Sequence, residues 1–272
     1  MSRSPENHPP QGSHPPGAVP DRLAARERHN RRLWDEWSDT YQATTGAQLL
    51  ALPAAWGAWR VPEADLRLLP AVAGQDVLEL GCGAAQWSIW LAAHGATVTG
   101  IDLSGRQLAH ARRNVAAAGV TVRLVQGSAE RLPFRDRAFD LALSDHGAMG
   151  WGHPDRTLPE AARVLRPGGL LICCDTAPLF NLCWDDDLGG PQERLVHDYV
   201  AVNTHAGADG SVSFTLSDSE WVRRFRQHGF AIEALEEPLA PPGVVSAFWP
   251  QATDWARRWP GVRIWKVRRE AA

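Results

Sequence analysis

The chain of 272 residues lacks the features that mark membrane, disulfide-rich and nucleic-acid-binding proteins. Its longest apolar runs have the length of a strand, well short of the roughly 20 residues that a membrane-spanning helix needs. The four cysteines (Cys82, Cys173, Cys174 and Cys183) form no Cys-x-x-Cys pair and have no zinc-type spacing. The formal net charge of -3 gives no basic surface for DNA, RNA or an anionic membrane. We therefore expect a reduced, cytoplasmic protein with no nucleic-acid and no membrane partner.

The N-terminal residues 1–20 are rich in Pro, Ser, Gly and His and lack the apolar segment of a signal peptide. Such a composition cannot bury enough apolar surface to offset the entropy lost on ordering, so we predict a disordered tail. Residues 21–272 are enough for a single large domain with its own core.

Two helices are predicted to precede the first strand, within residues 21–62. Trp34, Trp37 and Tyr41 recur at helical spacing, and residues 49–59 form a second apolar stretch that we also predict as helical. We expect these helices to form a cap beside or over the sheet. Their aromatic side chains either fill the core or cover a ligand.

From Gly74 onwards, strand-sized apolar runs alternate with helical segments, several of which end at a glycine. The predicted strands are residues 76–80, 97–101, 120–125, 139–143, 170–174, 230–235 and 262–267. This alternation predicts a doubly wound α/β sheet. Residues 178–210 break the pattern after the fifth strand and are predicted to form a lid or substrate-binding insertion.

Residues 77–88, VLELGCGAAQWS, connect the first strand to a helix and contain Glu79, Gly81 and Gly83. Glycines at such a turn let the backbone approach a ligand closely. A P-loop needs Gly-x-x-x-x-Gly-Lys-Ser/Thr, which is absent. The third glycine of a dinucleotide fingerprint would fall on Gln86, which disfavours NAD and FAD. The remaining option is a ligand with an adenosyl group but no pyrophosphate.

Four motifs resemble those of the class I S-adenosylmethionine (SAM) dependent methyltransferases, and they occur in the family's order. They are ELGCG at 79–83, TGIDLS at 99–104, GSAERLPF at 127–134 and RVLRPGG at 163–169. The resemblance is nearest to the small-molecule methyltransferases of the ubiquinone and menaquinone biosynthesis type. It implies a seven-stranded Rossmann-like sheet with strands 1–5 and 6 parallel and strand 7 antiparallel. It also implies SAM as cofactor and methyl transfer to O, N or C of a small molecule.

The resemblance also assigns roles to individual residues. Asp102 would hold the ribose hydroxyls, Glu79 would order the glycine turn, and Leu103 would pack on the adenine. Ser128 and Ala129 would meet the adenine edge, although many relatives carry Asp in place of Ser128. The implied cofactor-binding set is Tyr41, Glu79, Gly81, Cys82, Gly83, Asp102, Leu103, Gln107, Ser128, Ala129, Glu130 and Asp145.

The segment 144–151, SDHGAMGW, follows the fourth strand and is the predicted acceptor site. His146 is the predicted general base, because an imidazole titrates near neutrality. Asp145 would orient His146, hold the SAM amino group or bind the acceptor. A base is needed only where the acceptor must lose a proton, since SAM already carries an activated leaving group.

The acceptor is predicted to be aromatic or apolar, because the chain contains 13 tryptophans and several fall in the cap. No metal site is predicted, since the acidic run at 185–187 is typical of a solvated surface. A SAM-binding protein that does not methylate, cyclase-like or purely binding, remains an alternative on the same fold. Both a monomer and a homodimer are compatible with the sequence.

Overall fold

The computed structural model describes residues 23–52, 54–199, 204–206 and 210–271. The predicted disordered tail at 1–20 lies outside this described part. No helix within the described ranges is long and apolar enough to cross a membrane.

A seven-stranded sheet forms the centre of the fold. Its strands are β1 (Asp76–Leu80), β2 (Thr97–Asp102), β3 (Val122–Gln126), β4 (Phe139–Asp145), β5 (Leu165–Thr176), β6 (Phe230–Glu236) and β7 (Val262–Arg269). Their order is β6-β7-β5-β4-β1-β2-β3. The β7 strand runs antiparallel to both neighbours, while β1 to β5 pair in parallel. The predicted Rossmann-like sheet is confirmed, including the single antiparallel strand.

The helices of the described residues flank this sheet and precede it. They are α1 (Leu23–Ala51), α2 (Glu63–Leu66), α3 (Gln86–Ala93), α4 (Gly105–Ala118), α5 (Ala148–Trp151), α6 (Pro154–Val164), α7 (Pro178–Cys183), α8 (Asp218–Gln227) and α9 (Thr253–Ala256). The α4 helix begins where the Ser104 hydroxyl accepts a hydrogen bond from Gln107 N, and it ends at Gly119 in the left-handed conformation. These local signals are why its boundaries could be predicted from the sequence.

Two apolar clusters cover the two faces of the sheet, because successive strand residues point to opposite sides. Val77 of β1 belongs to one cluster, which also contains Trp56 and Trp87. Leu78, the next residue, belongs to the other, together with Trp221. Part of the unusual tryptophan content therefore fills the core.

The predicted second helix over 49–59 is wrong. After α1 ends, Ala55–Trp56 pairs with Val61–Pro62 in a short antiparallel ribbon. Gly57 and Arg60 have φ angles of 68° and 52°, which an α-helix does not allow. The apolar pattern of this segment reflects burial of its tryptophans in the core rather than helical periodicity.

The insertion predicted at 178–210 contains α7 and parts of two short ribbons. Trp184–Asp185 pairs with Gly190–Pro191, and His205–Ala206 pairs with Val212–Ser213. The β5 strand begins earlier than predicted, at Leu165, because it pairs with β4 on both sides of a register irregularity. The function of the insertion as a lid stays a prediction.

Replacing Arg263 by Ala should lower the free energy of unfolding by about 3–5 kcal/mol, because it leaves a buried carboxylate without its partner. Arg263 is fully buried on β7, and its Nε and Nη2 donate to the two carboxylate oxygens of Asp175 at 2.8 and 3.1 Å. Urea unfolding measures the loss. The control is Arg268→Ala, which removes an exposed ion pair with Glu233 and should cost about 1 kcal/mol or less. Equal losses in both variants would contradict the assigned role of Arg263.

Candidate functional site

A cleft lies at the carboxyl ends of β1, β2, β4 and β5, beside the point where the strand order reverses between β1 and β4. Open α/β sheets bind ligands at such switch points. The other walls of the cleft come from α1, the turn 57–60, the segment 211–215 and the loop 248–249.

All the predicted site residues contribute to the lining of this one cleft. They are Tyr41, Glu79, Gly81, Cys82, Gly83, Asp102, Leu103, Gln107, Ser128, Ala129, Glu130, Asp145 and His146. Their individual roles stay predictions, and the geometry described below shows what each is able to do.

The two glycines after β1 meet different surroundings. Gly81 has a φ of 74°, and a Cβ built on it would lie 2.3 Å from the backbone nitrogen of Ala148. Gly83 has a φ of 50°, but a Cβ there would meet nothing closer than the Gln107 Oε1 atom at 3.8 Å. Gly81 is therefore required by backbone packing, whereas Gly83 leaves open space that a ligand can fill.

The Asp102 carboxylate closes β2 and is held by two backbone amides. Gly83 N donates to Oδ2 and Ser104 N donates to Oδ1, both at 2.8 Å. Burial raises the pKa of Asp102 to about 6, although these two hydrogen bonds favour the charged form. A carboxylate has about four lone-pair sites, so Asp102 can still accept two ligand hydroxyls.

Glu79 ties β1 to the first turn of α3. Its Oε2 accepts hydrogen bonds from the backbone nitrogen of Ser88 at 2.8 Å and from the Ser88 hydroxyl. Burial raises the pKa of Glu79 to about 8, with the bonds from Ser88 opposing the shift. This geometry agrees with the prediction that Glu79 orders the turn. Cys82 beside it packs among Ala85, Leu108 and Ala111, and burial raises the pKa of its thiol far above the ordinary value.

Leu103, Ser128 and Ala129 lie together on the β2–β3 side of the cleft, where the adenine is expected. Ser128 Oγ accepts a hydrogen bond from Glu130 N at 3.1 Å, which shapes this turn. The Glu130 carboxylate is already engaged, because Oε1 accepts from His153 N at 2.8 Å and pairs with Arg26 of α1. Glu130 therefore helps to hold α1 against the cleft.

The α1 helix also docks on the start of α4 through polar contacts. Asp35 Oδ1 accepts a hydrogen bond from the Ser104 hydroxyl at 2.7 Å. Gln42 Nε2 donates to Gln107 Oε1 at 2.9 Å. Both contacts lie beside the Asp102 end of the cleft, so α1 forms a wall over that end.

The Asp145 carboxylate at the end of β4 connects three segments of the chain. Its Oδ1 accepts a hydrogen bond from Gly57 N at 2.9 Å, and its Oδ2 accepts from Trp87 Nε1 at 3.0 Å. Arg60 Nη1 lies 3.7 Å from Oδ2. Asp145 does not hydrogen-bond to His146 in these contacts, so the orientation of His146 comes from other contacts.

His146 is held in a left-handed conformation with a φ of 48°, which is unusual for a residue other than glycine. Its backbone nitrogen donates to Cys174 O at 2.9 Å, and its ring packs edge-on against Trp249 at 6.0 Å. The Nε2 atom is buried and has no hydrogen-bond partner among the described residues. Burial lowers the pKa of His146, while Asp145 and Asp175 oppose the shift, so the ring is neutral near pH 7.

Aromatic side chains from distant parts of the sequence form a continuous wall beside His146. Successive ring centroids along this wall are 4.6 to 5.8 Å apart. The aromatic wall consists of Trp151, Trp34, Tyr41, Phe248 and Trp249. Such a surface suits an apolar or aromatic ligand.

Asp145, His146 and Cys174 form a group of potential metal ligands in the described part of the chain, with ligand atoms within 4.8 Å of one another. The Asp145 oxygens already accept two hydrogen bonds, and the Arg60 guanidinium lies beside them. A cation there would be repelled by Arg60, so this donor set fits a metal poorly.

Sequence analysis missed Arg60, Trp87 and Gln42 as residues of the site. Arg60 directly follows residues 49–59, which are predicted as a helix, and lies in a turn. Trp87 belongs to the motif at 77–88 and lies in the first turn of α3. No local signal marks any of the three, because each acquires its place through contacts far away in sequence.

A pair of alanine variants should separate the two glycines. Gly83→Ala adds only the strain of a left-handed alanine, about 1–2 kcal/mol. Gly81→Ala adds the same strain and also forces the turn away from the segment after β4, so it should lose clearly more stability. Urea unfolding of both variants measures the difference. Equal losses would show that the β1 turn is free to move.

Comparison with known proteins gives a family. Residues 78–173 match the model of a methyltransferase domain. A fatty-acid O-methyltransferase of Mycolicibacterium smegmatis is 39% identical over 203 residues, which cover 73% of this chain and 65% of that protein. A phthiotriol/phenolphthiotriol dimycocerosates methyltransferase of Mycobacterium ulcerans is 37% identical over 128 residues, covering 45% of this chain and 46% of that protein. The chain thus spans between about half and two thirds of the length of these relatives.

Solved structures with a similar fold include a SAM-dependent methyltransferase. The crystal structure of a SAM-dependent methyltransferase from Mesorhizobium loti is 25% identical and has a TM-score of 0.62. The match covers 76% of this chain and 96% of that one. The prediction of SAM as cofactor is confirmed by these comparisons. Together with the sheet order and the cleft, these comparisons indicate a class I SAM-dependent methyltransferase.

Proposed function

We propose that the protein transfers the methyl group of SAM to an O, N or C atom of a small molecule with an apolar or aromatic body. The observation that carries this proposal is one continuous cleft, which joins Asp102 and Gly83 at one end to His146 and the aromatic wall at the other. One relative is named for fatty acids, whose chains are apolar, and this supports an acceptor of that character.

In the donor half, Asp102 accepts the two ribose hydroxyls and Leu103 packs on the adenine. Ser128 and Ala129 border the adenine edge, and the open space over Gly83 takes the methionine part. The Asp102 carboxylate, which accepts a hydrogen bond from Gly83 N beside this open space, suits a ligand with a positive charge.

In the acceptor half, the chain mainly positions the reacting atom. Bound SAM supplies a methyl group on a sulfonium, which is an activated leaving group. The aromatic wall excludes water and orients the acceptor body. Where the acceptor atom carries a proton, neutral His146 takes it at Nε2, which has no competing hydrogen bond in the described structure.

Calorimetric titration with SAM, S-adenosylhomocysteine and NADH tests the cofactor. Binding of both adenosyl ligands and no binding of NADH supports the proposal. Release of S-adenosylhomocysteine on incubation with candidate acceptors then separates methyl transfer from the alternative of a SAM-binding protein that does not methylate. Light scattering during the same preparation distinguishes a monomer from a homodimer.

Asp102→Ala should weaken SAM binding by more than about tenfold, because hydrogen bonds from the ribose to a charged group are lost. SAM affinity of the unchanged protein should also fall as the pH drops from about 7 to about 5, since protonation removes the charged acceptor. The sign follows from the pKa of Asp102, about 6 in the folded protein.

Asp102→Asn is the control for this pH dependence. The amide does not titrate, so this variant should bind SAM weakly over the whole range, without the drop at low pH. Unchanged affinity in the Asp102→Ala variant would remove Asp102 from the ribose site.

His146→Ala should leave SAM affinity within a few-fold and lower turnover by at least about tenfold, the contribution typical of a general base. Single-turnover rates with the methyl acceptor, once it is identified, measure the effect. A variant that keeps the turnover of the unchanged protein would show that positioning alone is sufficient for this reaction.

A further inference from the structure

The Arg60 guanidinium is buried beside the acceptor half of the cleft. Arg60 is 4% exposed and closes the turn that begins at Gly57, where its backbone nitrogen donates to Gly57 O at 3.1 Å. Its φ of 52° is a strained conformation for a residue with a side chain. The fold thus keeps a buried charged side chain at a position where glycine would be easier to accommodate.

Few acceptors satisfy this guanidinium. An arginine side chain has five N–H donors. Within the described part of the chain, Arg60 Nη2 donates to Leu52 O, and Nε is buried with no partner. The Nη1 atom lies 3.7 Å from Asp145 Oδ2, too far for a hydrogen bond. Buried donors in folded proteins are nearly always paired, so such a deficit points to an acceptor that arrives with a ligand.

Asp145 does not remove this deficit. Its oxygens accept hydrogen bonds from Gly57 N and Trp87 Nε1 at 2.9 and 3.0 Å, and in this arrangement they stay 3.7 Å or more from Arg60 Nη1. Burial lowers the pKa of Arg60, and the charge of Asp145 opposes that shift only in part. The planar fork of an arginine matches a carboxylate, which accepts two parallel hydrogen bonds and balances the charge.

The place of Arg60 assigns it to the acceptor rather than to the donor ribose. Arg60 lies near Asp145 at the end of β4 and near Cys174 at the end of β5. Asp102 ends β2, and β1 lies between β2 and β4. Strands are about 4.8 Å apart, so roughly 10 Å of sheet separates the two sites. His146, together with Trp249 from the aromatic wall, lines the cleft on the same side as Arg60.

We propose that Arg60 binds a carboxylate of the methyl acceptor, so that the acceptor is an organic acid with an apolar body. This assignment rests on the proposed methyl transfer and adds the charged group by which the acceptor is recognised. The aromatic wall holds the apolar body, Arg60 holds the acid, and His146 borders the same corner of the cleft. Neutral analogues of the acceptor leave the guanidinium unpaired and therefore bind more weakly.

The first test uses the unchanged protein with S-adenosylhomocysteine bound in the donor half. Calorimetry compares 4-phenylbutyrate with 4-phenylbutanol, which has a similar body and no charge. The acid should bind at least about tenfold more tightly, the difference expected for a charged hydrogen bond. Equal binding, or no binding of the acid, overturns the proposal.

The second test removes the arginine. Arg60→Gln should abolish the preference for the acid, and Arg60→Lys should keep part of it, because a lysine retains the charge without the planar fork. The control is Arg258→Gln. Arg258 is exposed, pairs with the Glu193 carboxylate and does not line the cleft. This control should keep the preference for the acid.

SAM itself carries a carboxylate in its methionine part. Decarboxylated SAM lacks this group, so it tests whether Arg60 binds the donor instead of the acceptor. Arg60→Gln should weaken SAM and decarboxylated SAM equally or not at all. A loss confined to SAM would assign Arg60 to the donor and overturn its assignment to the acceptor. If the unchanged protein binds neither SAM nor S-adenosylhomocysteine, the proposed function itself fails. If it binds both but shows no preference for the acid, only the role of Arg60 fails.

Discussion

The close approach of two backbone segments at the carboxyl end of the sheet sets the geometry of the whole cleft. A Cβ on Gly81 would collide with the backbone of the segment after β4, and a Cβ on Gly147 would lie 2.4 Å from Leu80 O. Glycines on both sides of this contact remove the side chains that would separate β1 from β4. The Asp102 end and the His146 end of the cleft therefore share one cavity, which the proposed in-line transfer between two bound molecules requires.

The Asp145 carboxylate is the second constraint, because it hydrogen-bonds to two segments that are distant from it along the chain. It fixes the turn at Gly57 and the indole of Trp87, and it lies next to Arg60. A buried carboxylate is stable only when it is well hydrogen-bonded, so the loss of any of these partners would disturb the others. The same arrangement leaves Arg60 with unused donors at the edge of the cleft, which is the basis for assigning it to an acidic ligand.

Much of the fold could be predicted because its signals are local. The Ser104 cap, the Gly119 stop and the glycine turn after β1 each act within a few residues. The prediction failed over residues 49–59, where apolar residues were interpreted as a helical face. Periodicity in a short apolar run does not distinguish a helix from a buried turn, and here the packing of tryptophans against the sheet decides the outcome.

The sequence by itself determined the sheet, the cofactor and the carboxylate that closes β2, since each depends on a motif that lies within one strand and the turn after it. Only the tertiary structure decided which residues form the His146 end of the cleft. The aromatic wall combines α1, the segment after β4 and the loop before β7. Arg60 reaches the same corner from a turn that precedes the sheet. Such contacts join residues that are distant along the chain, and their energies come from burial and charge pairing that no local pattern records.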